Sequence, residues 1–157
     1  LAVAPTKMND RYEWFLEKAT EIGIAEITPI ICDRSERKVI NKERFDKIVL
    51  SAMKQANECY LPQLNEALSL KEFLKKQNGG LQLIAHCEET HKKTLKSVLQ
   101  KNQTTTILIG PEGDFTQKEI TLAIENNYHP ITLGATRLRT ETAALVACHS
   151  VAFFNEE

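Results

Sequence analysis

No uncharged run in the chain approaches the roughly 18 apolar residues that a bilayer span requires, and its start lacks the basic-then-apolar pattern of an export signal. A soluble, cytoplasmic protein with no membrane partner is the expectation. Cysteine is sparse and scattered: Cys32, Cys59, Cys87 and Cys148 form no C-x-x-C pair, which argues against a zinc knuckle or a disulfide framework and leaves buried free thiols as the expectation. His86, Cys87 and His91 lie close together, but no second ligand pair follows, so no metal is expected. Neither charge is in excess. The 20 basic and 21 acidic side chains leave a net charge of −1, so any nucleic-acid contact has to be local or assisted by a further segment. Absent too are a G-x-G-x-x-G fingerprint, a Gly-Lys-Ser/Thr phosphate loop, internal repeats and low-complexity tracts. What remains is ordinary globular composition, 42% apolar and 26% charged, over a length of 157 residues that suits one domain.

Strand and helix signals alternate along that length. Apolar 1–4 reads as a buried strand. Asn9 or Asp10 is placed to cap a helix whose inner face is Tyr12, Phe15, Leu16, Ala19 and Ile22, ended by Gly23. Trp14 falls on the opposite face of that helix, against a partner chain or a local loop. Strands are expected at 26–31, 81–85, 104–109 and 131–133. Helices are expected at 41–56, 69–77, 90–100, 116–126 and 140–154. Thr116 and Glu119 have capping-box spacing, and Asn78, Gly79 and Gly80 end the 69–77 helix. The last helix has almost no polar face and should be buried on nearly all sides. Such alternation implies an α/β fold, a mostly parallel sheet with helices on both faces.

Chemistry concentrates in two loops. Ile107-Leu108-Ile109-Gly110-Pro111-Glu112-Gly113 carries a strand into a Gly-Pro turn and then a helix start, the kind of edge where open α/β sheets bind ligands. Leu133-Gly134 likewise leaves a strand, then delivers Arg137 and Arg139 to the head of the apolar helix. Charge at such a place costs desolvation unless it is paired or used. A tight turn without a ligand and an ordinary surface arginine pair are the plainer alternatives.

Together these segments closely resemble the 16S ribosomal RNA uridine-N3 methyltransferase family of the knotted SPOUT superfamily. Leu108-Ile109-Gly110-Pro111-Glu112-Gly113 is followed by Leu133-Gly134, Leu138-Arg139 and Glu141-Thr142-Ala143 in the family's order. Lys7, Trp14, 18–23, Pro29, Arg34-Ser35, Ala52, Gln55 and Pro62 also fall in order, so the likeness spans essentially the whole chain. The resemblance implies a homodimer with a C-terminal trefoil knot, acting on 16S ribosomal RNA or the small ribosomal subunit, with a PUA-like RNA-binding domain upstream. It implies S-adenosylmethionine held by Ala85, His86, Ile109, Gly110, Pro111, Glu112, Gly113, Leu133, Gly134, Leu138, Thr142 and Ala143. Arg139 and then Arg34 are the implied catalytic residues, with Arg34, Ser35, Gln55 and Arg137 toward the RNA. Glu112 and Glu141 are candidate proton acceptors, though local capping or pairing is the stronger reading of both. Three positions depart from the family pattern: Asp114 stands where a second glycine is common, Glu58 where an arginine is common, and Thr136-Arg137 invert an Arg-Ile order. A cofactor- or RNA-binding module of the same fold without catalysis is the alternative these departures leave open.

Overall fold

The computed structural model describes residues 1–76 and 79–156. Its elements are β1 (Ala2–Val3), α1 (Asn9–Ile22), β2 (Glu26–Ile31), α2 (Lys42–Gln55), β3 (Gln63–Leu64), β4 (Leu68–Ser69), α3 (Leu70–Leu74), β5 (Leu81–Ala85), β6 (Lys93–Thr94), α4 (Leu95–Val98), β7 (Thr105–Ile109), α5 (Gln117–Glu125), β8 (His129–Thr132) and α6 (Thr140–Asn155). The strands lie in the order β3-β2-β1-β7-β5-β8-β6, with β4 also on β2, and every pairing is parallel. A parallel sheet has to be covered on both faces. Period-two alternation achieves this: Val3, Leu83, Ile107 and Ile109 point to one side with α1, α2 and α6, and Ala2, Ile84 and Leu108 to the other with α3 and α5.

Local chemistry explains the well-marked elements. Gly23 closes α1 in the left-handed region at φ +89°, its N–H returning to Ala19 and Thr20. In α5 the capping box forms: Glu119 N–H donates to Thr116 Oγ1 and Thr116 N–H to Glu119 Oε2 at 2.8 Å. The other oxygen of that buried carboxylate accepts from Asp33 N–H at 2.8 Å, tying the exit of β2 to the head of α5.

Several expectations need correction. Neither Asn9 nor Asp10 caps α1; Met8 holds that position without a side-chain bond, and Asp10 sits in the first turn. The 90–100 helix shrinks to α4, because Lys93–Thr94 extend to pair with β8 at the sheet edge. The 69–77 helix ends at Leu74, and the expected stop at Asn78 lies outside the described residues. α6 is buried on one side only in the single chain, leaving Phe153 66% exposed. Trp14, at 43% exposure, is not sheltered by a local loop, and of the four free thiols only Cys32 and Cys148 are buried, Cys59 and Cys87 being exposed.

Candidate functional site

Because all the strands run parallel, β5, β7 and β8 release their following loops at one edge of the sheet. Loops 86–92, 110–115 and 133–139 meet there around two adjoining cavities of about 400 and 330 Å³. Both are lined by Ala85, Cys87, Ile109, Arg137, Leu138 and Ala143. The larger adds His86, Lys92, Ile131, Thr132, Leu133, Gly134, Ala135 and Thr136. The smaller adds Gly110, Pro111, Glu112, Asp114, Arg139 and Thr140. The two glycine-bearing bends therefore share one cleft.

Specific bonds hold that convergence. Thr140 Oγ1, buried at the head of α6, donates to Gly110 O at 3.0 Å. Arg137 Nη2 reaches Glu112 O at 3.4 Å, and Asp114 Oδ2 accepts from Cys87 N–H at 2.8 Å. Glycine is required for different reasons at different positions. A Cβ on Gly110 would lie 3.1 Å from the Phe115 ring, and one on Gly113 would lie 3.2 Å from Arg34 Cβ. Gly134 instead needs its freedom of backbone, with φ +148° and open space around it. Beyond it, Ala135, Thr136 and Leu138 make no hydrogen bond among the described residues, and no side chain caps α6. Main-chain groups in this exposed loop are thus open to solvent at the mouth of the cleft.

The expected cofactor residues Ala85, His86, Ile109, Gly110, Pro111, Glu112, Leu133, Gly134, Leu138 and Ala143 all line the cleft. Gly113 and Thr142 do not; Gly113 carries the Arg34 side chain on its outer side. Arg139 and Arg137 line the cleft, and Arg139 has no ion pair or side-chain hydrogen bond among the described residues. Arg34 is committed elsewhere, its Nη1 donating to Gly113 O at 2.9 Å and to Phe115 O at 3.4 Å. Ser35 is buried, its Oγ accepting from Cys32 N–H at 3.0 Å. Gln55 is the last residue of α2, which packs alongside α1, and it lines neither cavity. These three residues are not brought to the cleft of their own chain.

Lys92 is a lining residue that composition and spacing do not point to; Cys87 is weighed there only as a free thiol or metal ligand, and Asp114 only as a departure from a family glycine. Lys92 Nζ donates to His86 O and Glu88 O, both at 2.7 Å, and so folds loop 86–92 onto itself. Neither ring nitrogen of His86 has a partner among the described residues; burial first, and then Lys92, hold its pKa below the usual imidazole value. Burial, followed by the Asp114 charge, pushes the Cys87 thiol up. The two candidate proton acceptors differ in placement. Glu112 Oε1 accepts from Lys7 N–H at 2.8 Å beside the smaller cavity, whereas Glu141 lies outside both cavities with Arg11 Nε at 3.9 Å. Among the described residues no group of three His, Cys, Asp or Glu side chains is placed to hold a metal ion, and no helix is long and apolar enough to cross a membrane.

Residues 1–152 match the RNA methyltransferase domain family. The chain belongs to that family. The Ribosomal RNA small subunit methyltransferase E of Rickettsia conorii is 36% identical over 96% of this chain and 62% of its own length. The protein of the same name from Bacillus subtilis is 29% identical over 94% and 63%. A probable rRNA-methyltransferase from Porphyromonas gingivalis superposes with a TM-score of 0.90 at 38% identity, covering 98% of this chain and 67% of that one. The Neisseria gonorrhoeae Ribosomal RNA small subunit methyltransferase E, solved with S-adenosyl methionine, gives a TM-score of 0.85 at 28% identity over 98% and 65%. The chain thus spans 62% and 63% of the length of these two curated family relatives.

Proposed function

We propose that this chain is the catalytic domain of an S-adenosylmethionine-dependent methyltransferase acting on N3 of a uridine in 16S ribosomal RNA, in the cytoplasm and as a homodimer. The observation that carries the reading is the meeting of loops 110–115 and 133–139 on one cleft, fastened by Thr140 and Arg137. The cleft suits an adenosyl ligand: Ile109, Ile131, Leu133, Leu138 and Ala143 are apolar walls, and the unbonded main chain of 135–138 offers the few directional contacts a flat heterocycle needs. Ala85 and His86 complete the strand side, and Gly110, Pro111, Glu112 and Gly134 the loop side. Relatives named as small-subunit ribosomal RNA methyltransferases, one of them holding S-adenosyl methionine, support the cofactor and the RNA class. The N3 position rests on the resemblance of the paired loop motifs.

When bound, the cofactor supplies a methyl group already activated on a positive sulfur, so the transfer needs no metal. The remaining task belongs to the protein. Uridine N3 carries a proton and takes part in base pairing, so the base has to be unpaired and the proton lost before the methyl group arrives. Arg139, a cation without a counter-ion at the lip of the smaller cavity, favours the anionic uracil ring by facing its oxygens. Arg137 closes the cleft between the two cavities and adds positive charge. Arg34 and Ser35 act on the RNA side by fixing the Gly-Pro loop and the turn after β2, and Gln55 is left for contact outside the cleft of its own chain. A terminal trefoil knot, implied by the resemblance, would involve the segment after β8, where α6 packs against β7 and α1.

Calorimetry with S-adenosylmethionine, followed by nucleoside mass spectrometry of small-subunit RNA treated with the protein and cofactor, tests the reading. Binding and the appearance of 3-methyluridine are expected. No cofactor binding overturns it, and binding without transfer reduces the protein to a cofactor-holding module.

A further inference from the structure

Asp114 closes the Gly-Pro turn, its N–H donating to Pro111 O at 2.9 Å, and it does so with φ at +62°. That left-handed region is free for glycine and unfavourable for a residue with a Cβ. The side chain provides what a glycine lacks. Oδ1 accepts from Phe115 N–H at 2.8 Å, within the turn, and Oδ2 accepts from Cys87 N–H at 2.8 Å, 27 residues away at the exit of β5. Bonds from main-chain N–H groups to an ionised carboxylate are stronger than neutral ones. Because Lys92 already ties loop 86–92 to itself through His86 O and Glu88 O, a bond at Cys87 positions that loop as a unit.

We infer that Asp114 is a positioning residue that fastens loop 86–92 to the Gly-Pro loop and so sets the width of the cleft for S-adenosylmethionine. This rests on the proposed reading of the cleft. It adds a third tie to those made by Thr140 and Arg137, and it is the one tie contributed by a residue that the turn itself would exchange for glycine.

Asp114→Gly, Asp114→Ala and Asp114→Asn, made in the full chain with the other exposed cysteine removed as Cys59→Ser, separate the brace from the turn. A residue serving only the turn predicts that Asp114→Gly is at least as stable as the parent and binds cofactor as well, with Asp114→Ala alone impaired. The brace predicts that the Gly and Ala variants both weaken S-adenosylmethionine binding about ten-fold, as loss of one hydrogen bond to a charged group implies. KM for the cofactor rises with them while kcat at saturation holds, and Asp114→Asn, which keeps one acceptor oxygen, recovers part of the loss. Alkylation of Cys87 by iodoacetamide becomes several-fold faster in the Gly and Ala variants. Parental affinity and parental alkylation rate in Asp114→Gly overturn the brace. Faster alkylation with unchanged affinity overturns its coupling to the cofactor. Faster alkylation in a protein that never binds S-adenosylmethionine supports the brace and overturns the reading of the cleft.

Discussion

Among the cleft residues with side-chain polar groups that lack a partner among the described residues, Arg139 and His86 call for opposite treatment. A guanidinium at an exposed lip remains charged and costs little until a substrate meets it. Its removal should leave most of the adenosyl pocket intact, because Arg139 lines only the smaller cavity and the apolar walls belong to other residues. Arg139→Ala is accordingly expected to reduce methyl transfer by about a hundred-fold or more, the scale of losing one charge-stabilising donor, with calorimetric affinity for S-adenosylmethionine unchanged. Turnover equal to the parent removes Arg139 from the chemistry. His86 is 6% exposed, and its protonation is disfavoured by burial and by Lys92. The unfolded chain therefore takes up a proton on this ring first as pH falls. Above about pH 6.5 both states are neutral and the ring is silent; below it, stability declines until pH passes the lowered native value. Thermal melts from pH 7.5 downward should show a fall in Tm that His86→Gln reduces. An identical slope in the variant shows that other groups carry the acid sensitivity.

Among elements, those whose reasons are local were readable and those whose reasons are tertiary were not. Phe45, Val49 and Ala52 recur at helical spacing, and α2 follows them; β2 and β5 are bounded as their apolar runs suggest. Leu95 and Leu99 have the same spacing, yet the helix there is one turn, because Lys93 and Thr94 gain a ladder with β8 that no local pattern announces. Two-residue strands such as β3 and β4 exist only through the register of β2. In the site the glycine bends were legible because a turn leaves a residue signature. Lys92 and the Cys87 N–H were not, since they act through main-chain groups that every residue carries, and Asp114 stood out only as a departure from a glycine, its partner 27 residues away being unreadable. The α5 capping box is the local kind, but its glutamate also works at a distance. Thr116→Ala should lower the free energy of unfolding by about 1 kcal/mol, a typical cap. Glu119→Ala should cost more, about 1–3 kcal/mol, because Asp33 N–H loses a buried acceptor as well. The double variant should cost less than the sum, since the two side chains share one network. Urea titration reads all three; equal costs for the single variants refute the link to β2.

At the scale of the whole molecule, α6 presents a contradiction that the proposed second copy of the chain would resolve. Its sixteen residues include one carboxylate, Glu141, turned inward beside Arg11, and no basic residue in the last turn. Leu145, Val146 and Val151 are only partly covered, and Phe153 is 66% exposed, with Trp14 on neighbouring α1 at 43%. Isolated apolar side chains at a surface need no explanation, but a helix without a polar stripe that remains half uncovered does. The net charge of −1 offers little electrostatic repulsion between copies. The proposed dimer is therefore expected to pack α6 and α1 against their equivalents, an isologous contact in which one substitution is felt twice. Sedimentation equilibrium at micromolar concentration should give twice the chain mass for the parent. Phe153→Glu, which buries two unpaired carboxylates at such a contact, should shift the mass toward a single chain with helical content retained by circular dichroism. A parent that sediments as one chain, or a Phe153→Glu variant that remains paired, places the contact elsewhere and leaves the uncovered face of α6 to another partner.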